Sequence, residues 1–366
     1  MIPFARVLKY GNILPVKDIV KFDTTYGSMY LLYSTGELYG LGRNTAYQMG
    51  NDTNTMVTSW TLISTNVSTF WISKDDDDSP ILFRKKDGTW NIAGRAYIFG
   101  DTSTIYRTPT NVDDKLGVLS SGYDELYINS QNIWYRKDGR YFRMGLNANL
   151  NLLGTTSTTP ITSFTEYILP SDVKAIFPGY GGTLVSYKDG SMKAIGNNTT
   201  ARYGLPARQP YTSLTAITLP EVLSVKYMYN ATFMSTVNGM YVCGNCRYGQ
   251  LGNGITDINT YVTTPQKFTA SNPDSLDNFN GFTVINYQGT VQYCGQNYRS
   301  GNGSSTGFAS SLTPAPNILS TNFYVNDSAT YYIQNNSLYA TGIPGTYSLL
   351  PGYSSTQLSF VKLELP

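Results

Sequence analysis

The sequence predicts an all-β protein, and three observations lead to that class. Seven segments share one pattern, in which an apolar strand, a tight turn, a second strand and a glycine follow one another, as in LVSYKDGSMKAIG. The turns recur about every 50 residues, a period typical of propellers and other repeat folds. No window of about 11 residues shows the apolar spacing of an amphipathic helix. We therefore predict a single closed domain over residues 1–366, a seven-bladed β-propeller of four-stranded units.

The turn residue is glycine in six units and asparagine in the last, because glycine adopts positive φ freely and asparagine is the next-best tolerated residue. The turn residues are Gly36, Gly88, Gly139, Gly190, Gly239, Gly289 and Asn336. Their spacing places the blades at about 18–66, 67–118, 119–170, 171–220, 221–270, 271–318 and 319–366.

The fourth unit illustrates the expected blade. Its strands are predicted at 173–177, 183–187, 191–195 and 214–219, with hairpin turns at 178–182 and 188–190. The segments that follow the central glycine, such as 51–60, 101–110 and 205–213, are long and polar. They are predicted as loops, and because they leave the same point of each repeat, we expect them to crowd one face.

Leu-Pro pairs mark the end of the fourth strand at Pro170, Pro220 and Pro366, since proline cannot donate a hydrogen bond inside a sheet. Pro15 has the same phase, so residues 1–17 are predicted to be a fourth strand without the rest of its unit. We expect 4–14 and 358–365 to lie near one another, one closing the ring and the other forming an added edge strand or docking arm.

The composition excludes several function classes. Charged residues are only 14% of the chain, and the net charge is +2 without long basic runs, which argues against nucleic-acid binding. Histidine, the usual general base and commonest metal ligand, is absent. No constellation of serine, cysteine or carboxylate residues is typical of catalysis, so we predict a protein that is not an enzyme and needs no cofactor.

The N-terminal sequence lacks the continuous apolar core of a signal peptide. No stretch approaches the roughly 18 apolar residues of a membrane span. We predict a protein made in the cytoplasm, without membrane insertion.

Cys243 and Cys246 have the spacing of half a zinc site, but only Cys294 remains as a further cysteine and histidine is absent. Small buried residues are the favoured interpretation. Four aspartates at 75–78 could hold calcium, although a solvated turn is favoured because the alternating ligand spacing is missing. The glycines at 179–182 are interpreted as a hairpin turn, since no Lys-Ser/Thr of a phosphate loop follows.

The sequence VCGN at 242–245, followed by YGQLG at 248–252, resembles the repeat of the regulator-of-chromosome-condensation family, whose unit ends in a strand, a Trp-Gly, a polar stretch and a Gly-Gln-Leu-Gly. The next-best copy runs from Arg43 to Gly50. The resemblance in the spacing of the repeats covers nearly the whole chain, and it implies a seven-bladed β-propeller. No functional residue is transferred from it.

Aromatic residues in the long polar segments are candidates for binding, because rigid rings with polar tips are enriched in recognition surfaces. The candidates are Trp60, Tyr106, Tyr203, Tyr211 and Tyr261.

The composition, rich in Gly, Asn, Thr and Tyr, is similar to that of bacteriophage tail, baseplate and fibre proteins. The first functional hypothesis is therefore a structural or host-recognition propeller of a phage virion. Its expected partners are other virion proteins and a host surface protein or glycan. The alternative is a cytosolic propeller that acts as a partner-binding module or an exchange factor.

Overall fold

The computed structural model describes residues 17–74, 79–148, 157–179, 181–206, 208–228, 230–257, 260–345 and 349–366. Over these residues the chain forms seven antiparallel sheets, each made of four strands that follow one another in sequence. The first strand of every sheet lines a central channel. The predicted all-β, seven-bladed propeller is therefore confirmed.

The strand bounds, blade by blade, are as follows. Blade 1 contains β1 (Ile19–Thr24), β2 (Ser28–Tyr33), β3 (Leu38–Gly42) and β4 (Val57–Ser64). Blade 2 contains β5 (Val67–Trp71), β6 (Ile81–Lys85), β7 (Trp90–Arg95) and β8 (Ile105–Asn111). Blade 3 contains β9 (Glu125–Ile128), β10 (Asn132–Lys137), β11 (Arg140–Gly145) and β12 (Ile161–Tyr167). Blade 4 contains β13 (Val173–Gly179), β14 (Gly182–Tyr187), β15 (Met192–Asn197) and β16 (Pro210–Ile217).

Blade 5 contains β17 (Val222–Tyr227), β18 (Ala231–Thr236), β19 (Gly239–Asn245) and β20 (Tyr261–Thr269). Blade 6 contains β21 (Ser275–Phe279), β22 (Phe282–Tyr287), β23 (Thr290–Gln296) and β24 (Phe308–Pro314). Blade 7 contains β25 (Phe323–Val325), β26 (Ala329–Gln334), β27 (Ser337–Gly342) and β28 (Gln357–Lys362). The helical segments are α1 (Asp113–Leu116) and 3₁₀ turns at Ala96–Phe99, Gly117–Ser121 and Asn297–Arg299.

The antiparallel order gives the ring two different ends. Connections between the first and second strands, and between the third and fourth, lie at one end, which we call the loop face. The turns between the second and third strands, and the links from blade to blade, lie at the other end, which we call the turn face. The long polar segments therefore lie on one face, as the repeat phase predicted.

The core lies between blades. Every residue of β2 and of β14 is buried, because a neighbouring blade packs against each side of these second strands. The outer strand β16 is mostly exposed or half-buried. Leu184 of blade 4 and Val242 of blade 5 belong to one apolar cluster. Burial of apolar area between blades, rather than within one sheet, thus stabilises the ring.

The third strand ends at the expected glycine in blades 1, 3 and 7 and one residue after it in the other four blades, including blade 4. Gly196 has φ +118° and pairs with Tyr211 across a β-bulge. A Cβ on Gly196 would lie 2.2 Å from the carbonyl oxygen of Gly181 in the first hairpin turn. Only glycine permits this close approach of two backbones. The equivalent glycines, with φ from 110° to 133°, are Gly42, Gly94, Gly145, Gly244, Gly295 and Gly342.

The fourth strands begin earlier than predicted. In blade 4 the prediction was 214–219, whereas the strand is Pro210–Ile217. The strands β4 and β8 likewise begin inside the segments 51–60 and 101–110 that were predicted as loops. Beyond the bulge, the polar residues that begin the fourth strand still pair with the end of the third strand. They therefore belong to an exposed edge strand. The polar composition of these segments concealed their β-structure.

Packing of blade 7 against blade 1 closes the ring. The strand β28 pairs with β27 of its own blade, so the C-terminal segment completes blade 7. The ring of Phe22 lies 5.4 Å from that of Tyr331, and Thr24 Oγ1 donates to the carbonyl of Val325 at 3.1 Å. The segment 4–14 lies outside the described residues, so its predicted contact with 358–365 stays a prediction, as do the blade limits.

Candidate functional site

Side chains in two loops of the loop face form hydrogen bonds with the backbone of the same loop. In blade 5, Gln250 Oε1 accepts a hydrogen bond from the backbone N–H of Tyr248 at 2.8 Å, and Gln250 Nε2 donates to the carbonyl of Asn245 at 2.7 Å. In blade 1, Gln48 Oε1 accepts from the backbone N–H of Ala46 at 2.9 Å. The glutamine of the repeated loop motif therefore fixes the loop, and its role is structural.

Each of several loops is also attached to the outer strand of the next blade. The backbone N–H of Asp52 donates to Arg107 O at 3.0 Å. The N–H of Gly254 donates to Ser310 O at 2.8 Å, and the N–H of Gly303 donates to Leu358 O at 2.9 Å. These three loops are consequently preformed, and a partner would not have to order them on binding.

Exposed arginines of this face lie over tyrosine rings. The Arg208 guanidinium is 3.4 Å from the ring centroid of Tyr261, a contact between the blade 4 loop and the blade 5 outer strand. The other distances are 4.9 Å from Arg107 to Tyr47 and 4.7 Å from Arg247 to Tyr248. Within the described part of the chain, none of these three arginines forms a salt bridge with a carboxylate. Arginine and tyrosine that remain accessible in this way are typical of binding hot spots.

The aromatic surface continues from blade 5 to blade 6. The rings of Tyr248 and Phe308 are 5.6 Å apart. Phe308 is 48% exposed, so part of its ring faces solvent on the edge strand β24. Together with Arg247 these rings form a patch with an apolar centre and a cationic rim.

Four of the five predicted binding residues lie on outer strands and are half-buried. They are Trp60 on β4, Tyr106 on β8, Tyr211 on β16 and Tyr261 on β20. Trp60 Nε1 donates to the carbonyl of Glu364 at 3.1 Å, so this indole joins blade 1 to the C-terminal segment. The ring of Tyr106 packs edge-on against Phe99 at 6.4 Å. The binding role of these four residues stays a prediction.

Tyr203 does not lie on the surface. It is 1% exposed, and its ring lies 5.8 Å from that of Tyr227. Tyr203 N–H donates to Asn198 Oδ1 at 2.9 Å, which turns the loop inward. The residue fills the core between blades 4 and 5, and the expectation that it would be displayed on the loop face is corrected.

The arginines of the loop face were not identified from the sequence. Arg247 directly precedes its tyrosine, and this adjacent pair was the available signal. Arg208 and Tyr261 belong to different blades, so no local pattern connects them. Their contact depends on how one loop crosses to the next outer strand.

A cavity of about 540 Å³ occupies the central channel. Residues from the first strands of all seven blades, or from positions next to them, line it. The aromatic members of the wall are Trp71, Tyr127, Tyr227, Phe323 and Tyr324. The charged members are Asp23, Lys74, Lys226 and Asp277. The channel therefore combines apolar rings with a small set of charges.

An ion pair crosses the channel. Lys74 Nζ of blade 2 lies 2.6 Å from Asp277 Oδ2 of blade 6 and 3.5 Å from Asp23 Oδ1 of blade 1. Asp277 Oδ2 also accepts from the backbone N–H of Val325 at 2.7 Å. Burial acts to lower the pKa of Lys74, but the attraction of Asp277 and Asp23 outweighs it and the pKa is raised. Lys74 thus remains charged and connects three blades.

Lys226 approaches the same carboxylate from blade 5. Its Nζ lies 4.0 Å from Asp277 Oδ1 and donates to the carbonyl of Leu276. Partial desolvation in the channel lowers the pKa of Lys226, although Asp277 opposes this shift. Asp277 Oδ1 is buried, and no described residue donates a hydrogen bond to it.

The cysteines are buried, as predicted. Cys243 Sγ donates to the carbonyl of Arg202 and Cys294 Sγ to that of Gln250, both at 3.3 Å. Burial raises the pKa of both thiols to about 12, so they remain protonated and inert near neutral pH.

Metal binding by the aspartates at 75–78 cannot be described, because these residues lie outside the described ranges. Among the residues that are described, no group of three or more His, Cys, Asp or Glu is placed to hold a metal ion. The glycines 179 and 182 end and begin the paired strands β13 and β14, in agreement with a hairpin turn. No helix in the described ranges is long and apolar enough to cross a membrane.

No protein-family model matches the sequence, and no curated protein matches it. Among solved structures, the chain is similar to yeast RCC1 (Prp20) bound to Kap60, with a TM-score of 0.70 and 15% identity over 99% of this chain and 91% of that chain. It is also similar to Prp20p from Saccharomyces cerevisiae, described with its binding properties to Gsp1p and histones, with a TM-score of 0.69 and 15% identity over 91% and 87% of the two chains. The chain therefore has the fold of a regulator-of-chromosome-condensation-like β-propeller.

Proposed function

We propose that this chain is a protein-binding propeller that holds its partner on the loop face. The observation that carries the proposal is the stacking of exposed arginines on tyrosines, above all Arg208 at 3.4 Å from the Tyr261 ring centroid. Arginine and tyrosine dominate the binding energy of many protein interfaces, because each combines a large contact area with directional polar groups. The similar yeast protein was solved with the protein Kap60 bound, and this agrees with a protein partner.

The attachment of several loops to neighbouring blades supports the same proposal. The loop of one blade is attached by backbone hydrogen bonds to the outer strand of the next, as between Gly254 and Ser310. Association then costs little conformational entropy on this side of the interface. Binding of this kind requires no reactive group. A more specific version of this proposal is that the chain is an exchange factor for a small GTPase. In that case, binding would speed the release of nucleotide from the partner.

The test is an affinity capture from a lysate of the source organism, with bound proteins identified by mass spectrometry. It compares the wild-type chain, an Arg208→Ala/Arg247→Ala variant of the loop face, and a Lys174→Ala/Lys188→Ala variant of the turn face. We expect one specific protein to be retained by the wild type and the turn-face variant. Loss of two hot-spot arginines should reduce its retention by about tenfold or more.

Equal retention by all three proteins, or loss of retention by the turn-face variant alone, would contradict the proposal. Melting temperatures close to that of the wild type serve as the folding control, since each exposed cation–π contact contributes only about 0.5–1 kcal/mol. The virion location and the virion and host partners predicted from composition stay predictions, because no comparison bears on them.

A further inference from the structure

The central channel has the features of a ligand site that binding on the loop face does not use. Its volume of about 540 Å³ lies within the range of about 300–1,000 Å³ that is usual for small-molecule pockets. The wall is built from strands that are fixed in the blades, so the site is preformed. It also brings together groups from blades far apart in sequence.

An unsatisfied oxygen points to a ligand with a hydrogen-bond donor. The Asp277 side chain is only 5% exposed. Its Oδ2 atom accepts from Lys74 and from the N–H of Val325, whereas Oδ1 accepts no hydrogen bond from the described residues. A buried carboxylate oxygen without a donor is costly, so a donor supplied by a ligand would be bound favourably.

A neighbouring cation points to an acceptor on the same ligand. Lys226 Nζ lies 4.0 Å from Asp277 Oδ1 and uses one of its three donors on the carbonyl of Leu276. The Lys226 side chain is 52% exposed, so its remaining donors are accessible. A hydroxyl group can donate to the carboxylate and accept from the ammonium at once.

The charges of the wall indicate that the ligand is uncharged. Among the described residues of the wall, Lys74 and Lys226 balance Asp23 and Asp277. A ligand with a net charge would add an unpaired charge to a confined site, which is unfavourable. A ligand with hydroxyls and no net charge leaves the balance unchanged.

The aromatic wall suits a ring with apolar C–H faces. Trp71, Tyr127 and Tyr324 line the cavity and are half-buried, so part of each side chain remains open. We propose that the channel binds a small uncharged saccharide, with one hydroxyl bridging Asp277 Oδ1 and Lys226 Nζ and the sugar ring against the aromatic wall. This inference is independent of the protein partner proposed for the loop face.

The test is saturation-transfer NMR and calorimetry on the full chain with glucose, galactose and N-acetylglucosamine, and with glucuronate and glucosamine as charged counterparts. We expect saturable, millimolar binding of at least one neutral sugar and weaker binding of the charged ones. Lys226→Met should reduce the affinity about tenfold, because it removes the donors and keeps the Lys74–Asp277 pair. Lys267→Met, an exposed lysine of the same blade, is the matched control and should bind like the wild type.

A second variant tests the location without changing the charged groups. Thr321 is exposed and lines the cavity before β25, so Thr321→Trp should obstruct the channel and abolish binding. Absence of saturable binding by every neutral sugar would overturn the proposal, as would tighter binding of a charged counterpart. Unchanged binding by both Lys226→Met and Thr321→Trp would also overturn it.

Discussion

The two faces of the ring use their cations differently. On the turn face, cations meet carboxylates: Lys174 pairs with Glu221, and Arg140 pairs with Glu166. On the loop face, Arg208 stacks on Tyr261 and pairs with no carboxylate among the described residues. Exposed ion pairs contribute little energy and leave their charges satisfied, whereas a stacked guanidinium retains donors for a partner. The turn face also places cations over rings, as Lys193 lies over Tyr187, so the two faces differ in their ion pairs rather than in stacking.

The two ends of blade 4 also differ in how closely their backbones pack. Gly196, where the third strand reaches the loop face, has φ +118° and would place a Cβ 2.2 Å from Gly181 O. Gly190, in the turn at the opposite end, has φ +83° and no atom within 4 Å of an added Cβ. The loop-face end is closely packed, and the turn-face end is open.

The largest expected effect follows from that contrast. Gly196→Ala should destabilise the protein by at least about 3 kcal/mol, because backbone strain and a steric clash act together. Gly190→Ala should cost about 1 kcal/mol, from the left-handed conformation alone. Urea denaturation midpoints measure both, and equal midpoints for the two variants would show that the close approach at Gly196 is unimportant.

The next largest expected effect is a loss of folding stability at alkaline pH, caused by the buried thiols near the loop face. Burial raises the pKa of Cys243 and Cys294 to about 12. Their thiols ionise more readily in the unfolded chain, so the stability they contribute is complete below about pH 9 and is lost as the pH rises towards 12. At about pH 9.5 the loss should be about 1 kcal/mol for each thiol, relative to pH 7.

The matched variant is Cys243→Ala/Cys294→Ala, since alanine occupies the same repeat position in blade 2 as Ala93. Denaturation at the two pH values should show a smaller alkaline loss for this variant than for the wild type. If the variant and the wild type lose the same stability, the alkaline effect comes from groups other than these two thiols.

The smallest expected effect concerns the turn face. Lys174→Ala removes an exposed ion pair with Glu221 and should change the free energy of unfolding by less than about 1 kcal/mol. Its effect should also fall further at high salt, because the pair is exposed to solvent. A loss of several kcal/mol in urea denaturation would contradict the small contribution expected of an exposed ion pair.

The sequence predicted the parts of the fold that depend on local chemistry. A turn such as the one at Gly190 requires a residue with positive φ whatever surrounds it. The recurrence of glycine at this position therefore predicted the number of blades. The start of the fourth strand was missed because a polar edge strand resembles a loop in composition. Tyr203 was assigned to the surface because a polar loop surrounds it, yet the loop turns inward and buries it.

The sites were less predictable, because they are made from residues of different blades. Arg208 meets Tyr261 across an interblade boundary, and Lys74 reaches Asp277 across the channel. The sequence by itself determined the number and strand content of the blades, since turns and period are local properties. Only the tertiary structure decided which charges face carboxylates, rings or the channel, because these contacts form only when the ring closes.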